Sequence, residues 1–199
     1  MLPQCGTLAA MRAQIAIQRS RLVTTGREPD LKRALRPVPT YERAVREVSR
    51  MFADAGIRHA LVGALGANAY RNRPRTTEDI SFLVGDEAFE THRGGFVTMR
   101  VAVVEFDGID IDQVPLSEAL RVVEDGLNRA PISDGVPIAP VDTIVVMKLI
   151  AGRTQDLADV EAIIESGGDR EFLKAAVQKA VPACVDTLER LFGNVDRNR

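Results

Sequence analysis

The chain has 199 residues, 45% of them hydrophobic and 27% charged, with a formal net charge of −2. That length supports one domain with a real core plus extensions, or two small domains at most, and the near-neutral balance argues against a protein wrapped in nucleic acid while leaving room for a local basic groove. No run approaches the ~18–20 apolar residues of a membrane span, and Cys5 and Cys184 lie too far apart for a metal spacing or a disulfide framework, so the expectation is a soluble, cytoplasmic protein with no membrane partner.

Residues 1–39 differ from the rest. Arg12, Arg19, Arg21, Arg27, Lys32, Arg33 and Arg36 crowd a segment closed by "RPVPT", where Pro37 and Pro39 read as a linker or helix stop. A basic extension, loosely docked or disordered, is the expectation there. From Thr40, a plausible N-cap, apolar residues recur at helical spacing through Ala44, Val45, Val48, Met51, Phe52 and Ala55, and Gly56 ends the helix. "HALVG" reads as a short strand, "ALGANAYRN" as a helix packed through small side chains, and "DISFLV" as the next strand. "GFVTMRVAVVEF" and "IDIDQV" flank Asp107-Gly108, a hairpin signal. "SEALRVVEDGL" suggests a helix, and "PISDGVPIA" a second short hairpin turning at Asp134-Gly135. Asp142 caps "TIVVMKLIAG", stopped by Gly152; "DLADVEAIIES" follows, closed by Gly167-Gly168. The tail reads as two helices, the second opening at Pro182. Helices therefore bracket a small mixed sheet, and the class is α/β or α+β. The expected organisation is the extension over 1–39, a body over 40–166, and C-terminal helices over 167–199 packed on that body.

Alternate side chains of a strand share a face. Asp79, Ser81 and Leu83 point one way, and Ile80, Phe82 and Val84 form a core face on the other. The first face begins polar and turns apolar, as a strand lining a cleft does. Gly63 stands between a strand and a helix, where a glycine permits close backbone approach and a helix start presents N–H groups to an anion. A phosphate at Gly63-Ala64 would lie beside a metal held by Asp79, although such junctions are common. "IDID" puts Asp110 and Asp112 on one face, about 7 Å apart along one edge; a wet hairpin arm and a metal ligand facing Asp79 both fit. "RNRPR" (Arg71, Arg73, Arg75) reads as a solvated loop or as a steering patch for a triphosphate or an RNA end. Lys148, within a very apolar helix, needs a partner, either a phosphate or the i,i+3 pair Asp156 and Asp159. His59 and His92 receive no role, and Met99 and Met147 read as core.

"VGALGANAYRNRPRTTEDISFLV", then "IDIDQV", then "APVDTIVVMKLIAGRTQDLADVEAII" resemble, in that order, the minimal nucleotidyltransferase fold, and its abortive-infection (AbiEii-like) and toxin-type branch in particular. The resemblance runs from Thr40 to Ser166. It implies an Arg-x-Thr-x-Asp-hydrophobic-Asp strand and a third Asp on a later strand, the carboxylates together holding two Mg²⁺ or Mn²⁺ ions that bind a triphosphate and activate an acceptor hydroxyl. Carried over, Gly63 and Ala64 stand at the Gly-Gly/Ser turn, Asp79 at the first carboxylate and Ser81 at the second. Asp112 is assigned to the third, with Asp110 as the alternative register. Arg75 matches the Arg-x-Thr position, and Arg75 and Lys148 become nucleotide-binding residues.

Ala64 in place of Gly or Ser removes at most a hydroxyl. Ser81 in place of Asp removes a charge. Two dications about 4 Å apart repel by roughly 17 kcal/mol at an effective dielectric near 20, so such sites need several carboxylates. The resemblance implies transfer of a nucleotide from an NTP to an RNA end (tRNA, by analogy) or a protein hydroxyl. The alternative is a degenerate relative that binds nucleotide or a protein partner, a cognate antitoxin among the partners.

Overall fold

A computed structural model of the chain describes residues 27–198. The arginines at 12, 19 and 21 and Cys5 lie outside the described residues. The remainder of the basic extension is not loose. Leu31–Leu35 forms a short helix, α1, capped by Asp30, whose carboxylate accepts from the Arg33 backbone N–H. Leu31, Ala34 and Leu35 are buried in the core, and the Asp30 N–H donates to Ala69 O at 3.2 Å. Three apolar residues among the five of α1 dock it.

A 3₁₀ turn over Pro39–Tyr41 leads into α2, Glu42–Asp54. Thr40 lies inside that turn and caps nothing; Tyr41 is the N-cap residue and makes no side-chain cap bond. Proline at the head of the turn sets its φ, which moves the helix start past the threonine. Ala44, Val45, Val48 and Phe52 of α2 are fully buried. Gly56, at φ +68°, then reverses the chain into β1, His59–Leu61.

The main sheet has four strands in the order β1, β2, β6, β5, where β2 is Asp79–Val84, β5 is Glu105–Phe106 and β6 is Ile109–Pro115. β1 runs antiparallel to β2, β2 parallel to β6, and β6 antiparallel to β5. The β5–β6 turn is the expected Asp107-Gly108, with φ of 54° and 76°, the type I′ signature. The long run before it is not one arm. Val97–Met99 (β4) pairs with Phe89–Thr91 (β3) in a separate ribbon, and only Glu105–Phe106 joins the main sheet. A parallel β2–β6 pair needs a crossover, and the ribbon occupies that crossover.

Between β1 and β2 lies α3, Gly63–Asn68. After β6 come a 3₁₀ turn over Glu118–Val123, the short helix α4, Glu124–Asn128, and a second ribbon of β7, Ile132–Ser133, and β8, Val136–Pro137. Then follows α5, Val141–Ala151, in which eight of eleven residues are buried. Its N-cap is Pro140, and Asp142 sits within the first turn, where Arg129 donates to its carboxylate. Gly152 in the left-handed region (φ +65°) ends it. α6, Thr154–Glu165, α7, Arg170–Ala180, and α8, Val185–Arg197, complete the body. Pro182 opens a 3₁₀ turn, Pro182–Cys184, rather than the helix itself. Leu173, Val177, Leu188, Leu191 and Val195 carry α7 and α8 into the common core. Among the described residues, no helix is long and apolar enough to cross a membrane.

Candidate active site

The period-two alternation of β2 and β6 builds one wall of a cavity of about 1070 Å³. Ile80, Phe82 and Ile111 are buried on one face of the sheet. Asp79, Ser81, Asp110 and Asp112 lie on the other and line the cavity. The register sets Asp110 opposite Asp79 and Asp112 opposite Ser81. Asp112 lies diagonal to Asp79 on the same face, close enough for the two carboxyls to be coupled. Partial burial first, then the charge of Asp79 and hydrogen bonding with it, and the charge of Asp110, hold the Asp112 carboxyl above its ordinary value of 3.8. The hydroxyl of Thr77 donates to Asp79 Oδ1 at 2.5 Å, and that of Ser81 to Oδ2 at 3.4 Å.

Gly63 closes this wall at φ +61°, and a Cβ on it would stand 2.6 Å from Ser81 Oγ. The glycine is thus required twice, for its backbone angle and for the side chain above it. Val62 N donates to Ser81 O at 2.9 Å, which fixes the turn against β2.

The facing wall comes from α5, the 75–78 segment and the start of α6. Its organiser is Asp159, which has no exposed surface. Arg71 Nη1 approaches it at 2.5 Å, Arg75 clasps both oxygens at 2.9 and 3.0 Å, and Lys148 Nζ donates at 2.7 Å. Lys148 also reaches Asp156 at 3.1 Å. Burial pushes the Asp159 carboxyl up, but the hydrogen bonds from Arg75 and Lys148 and their charges outweigh it and leave it below its ordinary value. Lys148 and Arg75, expected as nucleotide contacts, line the cavity while being held by carboxylates of α6. Arg73 is exposed. The deciding contacts run between α5 and α6, and a buried lysine stays charged only with such partners.

Arg153 was not singled out from the sequence. It lines the cavity with its side chain 79% exposed, anchored by Nε to Asp156 Oδ2 at 2.6 Å. Pairing with Asp156 chiefly, and the charge of Asp79 in addition, raises its basicity. Its position closing the Lys-Leu-x-Ala-x-Arg run, Lys148 to Arg153, was the available signal. The cavity therefore sets carboxylates on one side against guanidinium and ammonium groups on the other. His59 lies elsewhere, buried between Phe52 and Phe82 with Ser49 Oγ at 2.8 Å from Nε2. Burial lowers its pKa, and it is a core residue.

No protein-family model matches the chain, and no curated protein matches it. Among solved structures, the chain is similar to an antigenic nucleotidyltransferase-like protein from Paracoccidioides brasiliensis. That likeness has 15% identity, covers 77% of this chain and 94% of that one, and has a TM-score of 0.43. It is too distant to carry residue roles across.

Among the described residues, no group of three or more His, Cys, Asp or Glu side chains comes together as a metal-holding cluster. Ser81 occupies the place expected for the second carboxylate, directly opposite Asp112, so Asp79 and Asp112, with Asp110 opposite Asp79, are the strand carboxyls that remain. What is assembled is the Asp79–Asp112 pair. Two coupled carboxylates suit one hard divalent ion, which would displace any proton held between them and take its remaining ligands from a bound anion and water.

Proposed function

We propose that the chain is a nucleotidyltransferase-like protein whose cavity binds an NTP together with Mg²⁺ or Mn²⁺. The acceptor is an RNA end or a protein hydroxyl, and the activity is weakened by Ser81. The observation that supports this most is the meeting of Asp79 and Asp112 on one face of adjacent parallel strands, over the Gly63 turn and opposite Arg75, Lys148 and Arg153.

Asp79 and Asp112 would hold the metal, with Asp110 at the rim. When bound, the ion lowers the charge on the phosphates and on the departing pyrophosphate. Thr77 and Ser81 fix the rotation of the Asp79 carboxylate, so that it meets its ligand without reorganising. Arg153, the most exposed of the three cations, is placed to take a phosphate oxygen first. Arg75 and Lys148 lie behind it. Both are pre-aimed by Asp159, and a polyphosphate recruits them only by sharing them with that carboxylate. The Gly63 turn admits the ligand close to the backbone.

The test is Mg²⁺-dependent transfer of label from α-labelled NTPs to RNA and to protein. Transfer is expected with the wild type, to be abolished in Asp79→Ala and raised in Ser81→Asp. Absence of transfer with all four NTPs, wild type and Ser81→Asp alike, would overturn it. A second reading has a specific observation in its favour: the second carboxylate is missing and all three cations already have carboxylate partners. On that reading the chain is a pseudoenzyme that binds nucleotide or a protein partner, in a toxin–antitoxin or phage-defence setting. NTP-induced thermal stabilisation without turnover separates the two.

A further inference from the structure

The cavity has a second half that the carboxylates and cations do not use. Along β6 the inward side chains run Asp110, Asp112, Val114, so polarity falls away toward the end of the strand. Beyond Val114 the lining passes to Leu120 on the Glu118–Val123 turn and to Ile144, Met147 and Ile150 on α5, the helix against which that turn packs. Val114, Leu120, Met147 and Ile150 are only partly buried, which leaves apolar surface facing the cavity.

Resting on the reading just given, we infer that this aliphatic half seats the nucleobase of the NTP and accepts the four bases almost equally. Two features support this. The aliphatic surface is continuous with the phosphate end, so a ligand anchored at Asp79 and Arg153 projects its base toward it. And the lining, among the described residues, contains no aromatic ring, and its uncharged polar side chains toward that end are Ser117 and Gln155. Aliphatic surface gains from burying any flat ring but reads none of its edges. A pocket of that kind separates ligands by one or two orders of magnitude at most, whereas one that pairs with a base edge rejects the wrong base by roughly 10⁴-fold. A rotating hydroxyl and a carboxamide that can turn either its oxygen or its NH₂ toward the ligand each serve as donor or acceptor as required, and neither chooses among them.

The experiment is calorimetric titration of the full chain, at fixed Mg²⁺, with ATP, GTP, CTP, UTP and inorganic tripolyphosphate. The four nucleotides are expected to bind within about tenfold of one another, and each at least about tenfold tighter than tripolyphosphate. Met147→Gln, with the same reach but a polar end, should weaken all four by a similar factor and leave tripolyphosphate unchanged. One nucleotide binding more than about 100-fold better than the rest would overturn the inference. So would tripolyphosphate matching the nucleotides, although the polyphosphate reading would then stand. Failure of all five to bind would overturn both. If Met147→Gln does not fold, the wild-type series decides alone.

Discussion

Asp159 shows how one side chain can set the electrostatics of a whole wall. A carboxylate with no exposed surface, it holds Arg71, Arg75 and Lys148 at once. Removing its charge would deprive Arg71 and the part-exposed Arg75 of their carboxylate and leave the buried Lys148 with Asp156 alone. Asp159→Asn is therefore expected to lose about 3–5 kcal/mol of unfolding free energy at neutral pH, measured by urea denaturation. The pH dependence follows from the direction of its shift. The folded carboxyl titrates below its unfolded value of 3.8, so its contribution is complete above that value and disappears as pH falls through the folded pKa. The gap between wild type and Asp159→Asn should then narrow below pH 3.8; a gap that stays constant into acid would sink the assignment. The pairing of Lys148 with Asp156 and Asp159 was legible in the sequence, because a lysine amid apolar residues needs an acid and two stood on the next helix. The share taken by Arg71 and Arg75 was not, since their loop is brought to α6 only by tertiary packing.

At the scale of elements, the turn from β1 into α3 is the most constrained junction. Gly63→Ala combines a left-handed backbone with a Cβ 2.6 Å from Ser81 Oγ. It should cost roughly 1–2 kcal/mol for the backbone alone, and more for the contact. In a double-mutant cycle, Ser81→Ala should relieve the Oγ part of the contact while its own Cβ stays at 3.0 Å, with a coupling of at least about 0.5 kcal/mol; strictly additive changes would mean that the turn does not rest on Ser81. The alternation in "DISFLV" and "IDID" already showed which residues share a face, because a side-chain period of two leaves little choice once Ile80, Phe82 and Ile111 are core. What alternation does not show is which strand lies next to which. The parallel β2–β6 pairing spans a crossover containing the β3–β4 ribbon, and no local pattern encodes such a distance. Arg153 escaped notice for a similar reason. Its anchor is local, three residues on, but its view of Asp79 across the cavity is not.

For the whole molecule, the docked α1 changes the account of stability. A basic stretch bounded by prolines has the composition of a linker, and only Leu31, Ala34 and Leu35 argue otherwise; burial, not composition, decides. Leu31→Ala is expected to lower the unfolding free energy by about 2–5 kcal/mol, read as a shift in denaturant midpoint at unchanged slope. A loss under about 1 kcal/mol would mean that α1 rests only lightly on the core. The same core reaches the far end of the chain through Leu188, Leu191 and Val195, so both described ends of the molecule are tied to one interior.

Because α5 is wrapped by protein on nearly every side, the wall that carries Lys148 has almost no slack. The Glu118–Val123 segment that packs on it is mostly exposed and is wound as a 3₁₀ turn, whose hydrogen-bond geometry is poorer than that of an α-helix. Substitutions that alter the width of the cavity should therefore be tolerated better on that turn than on α5.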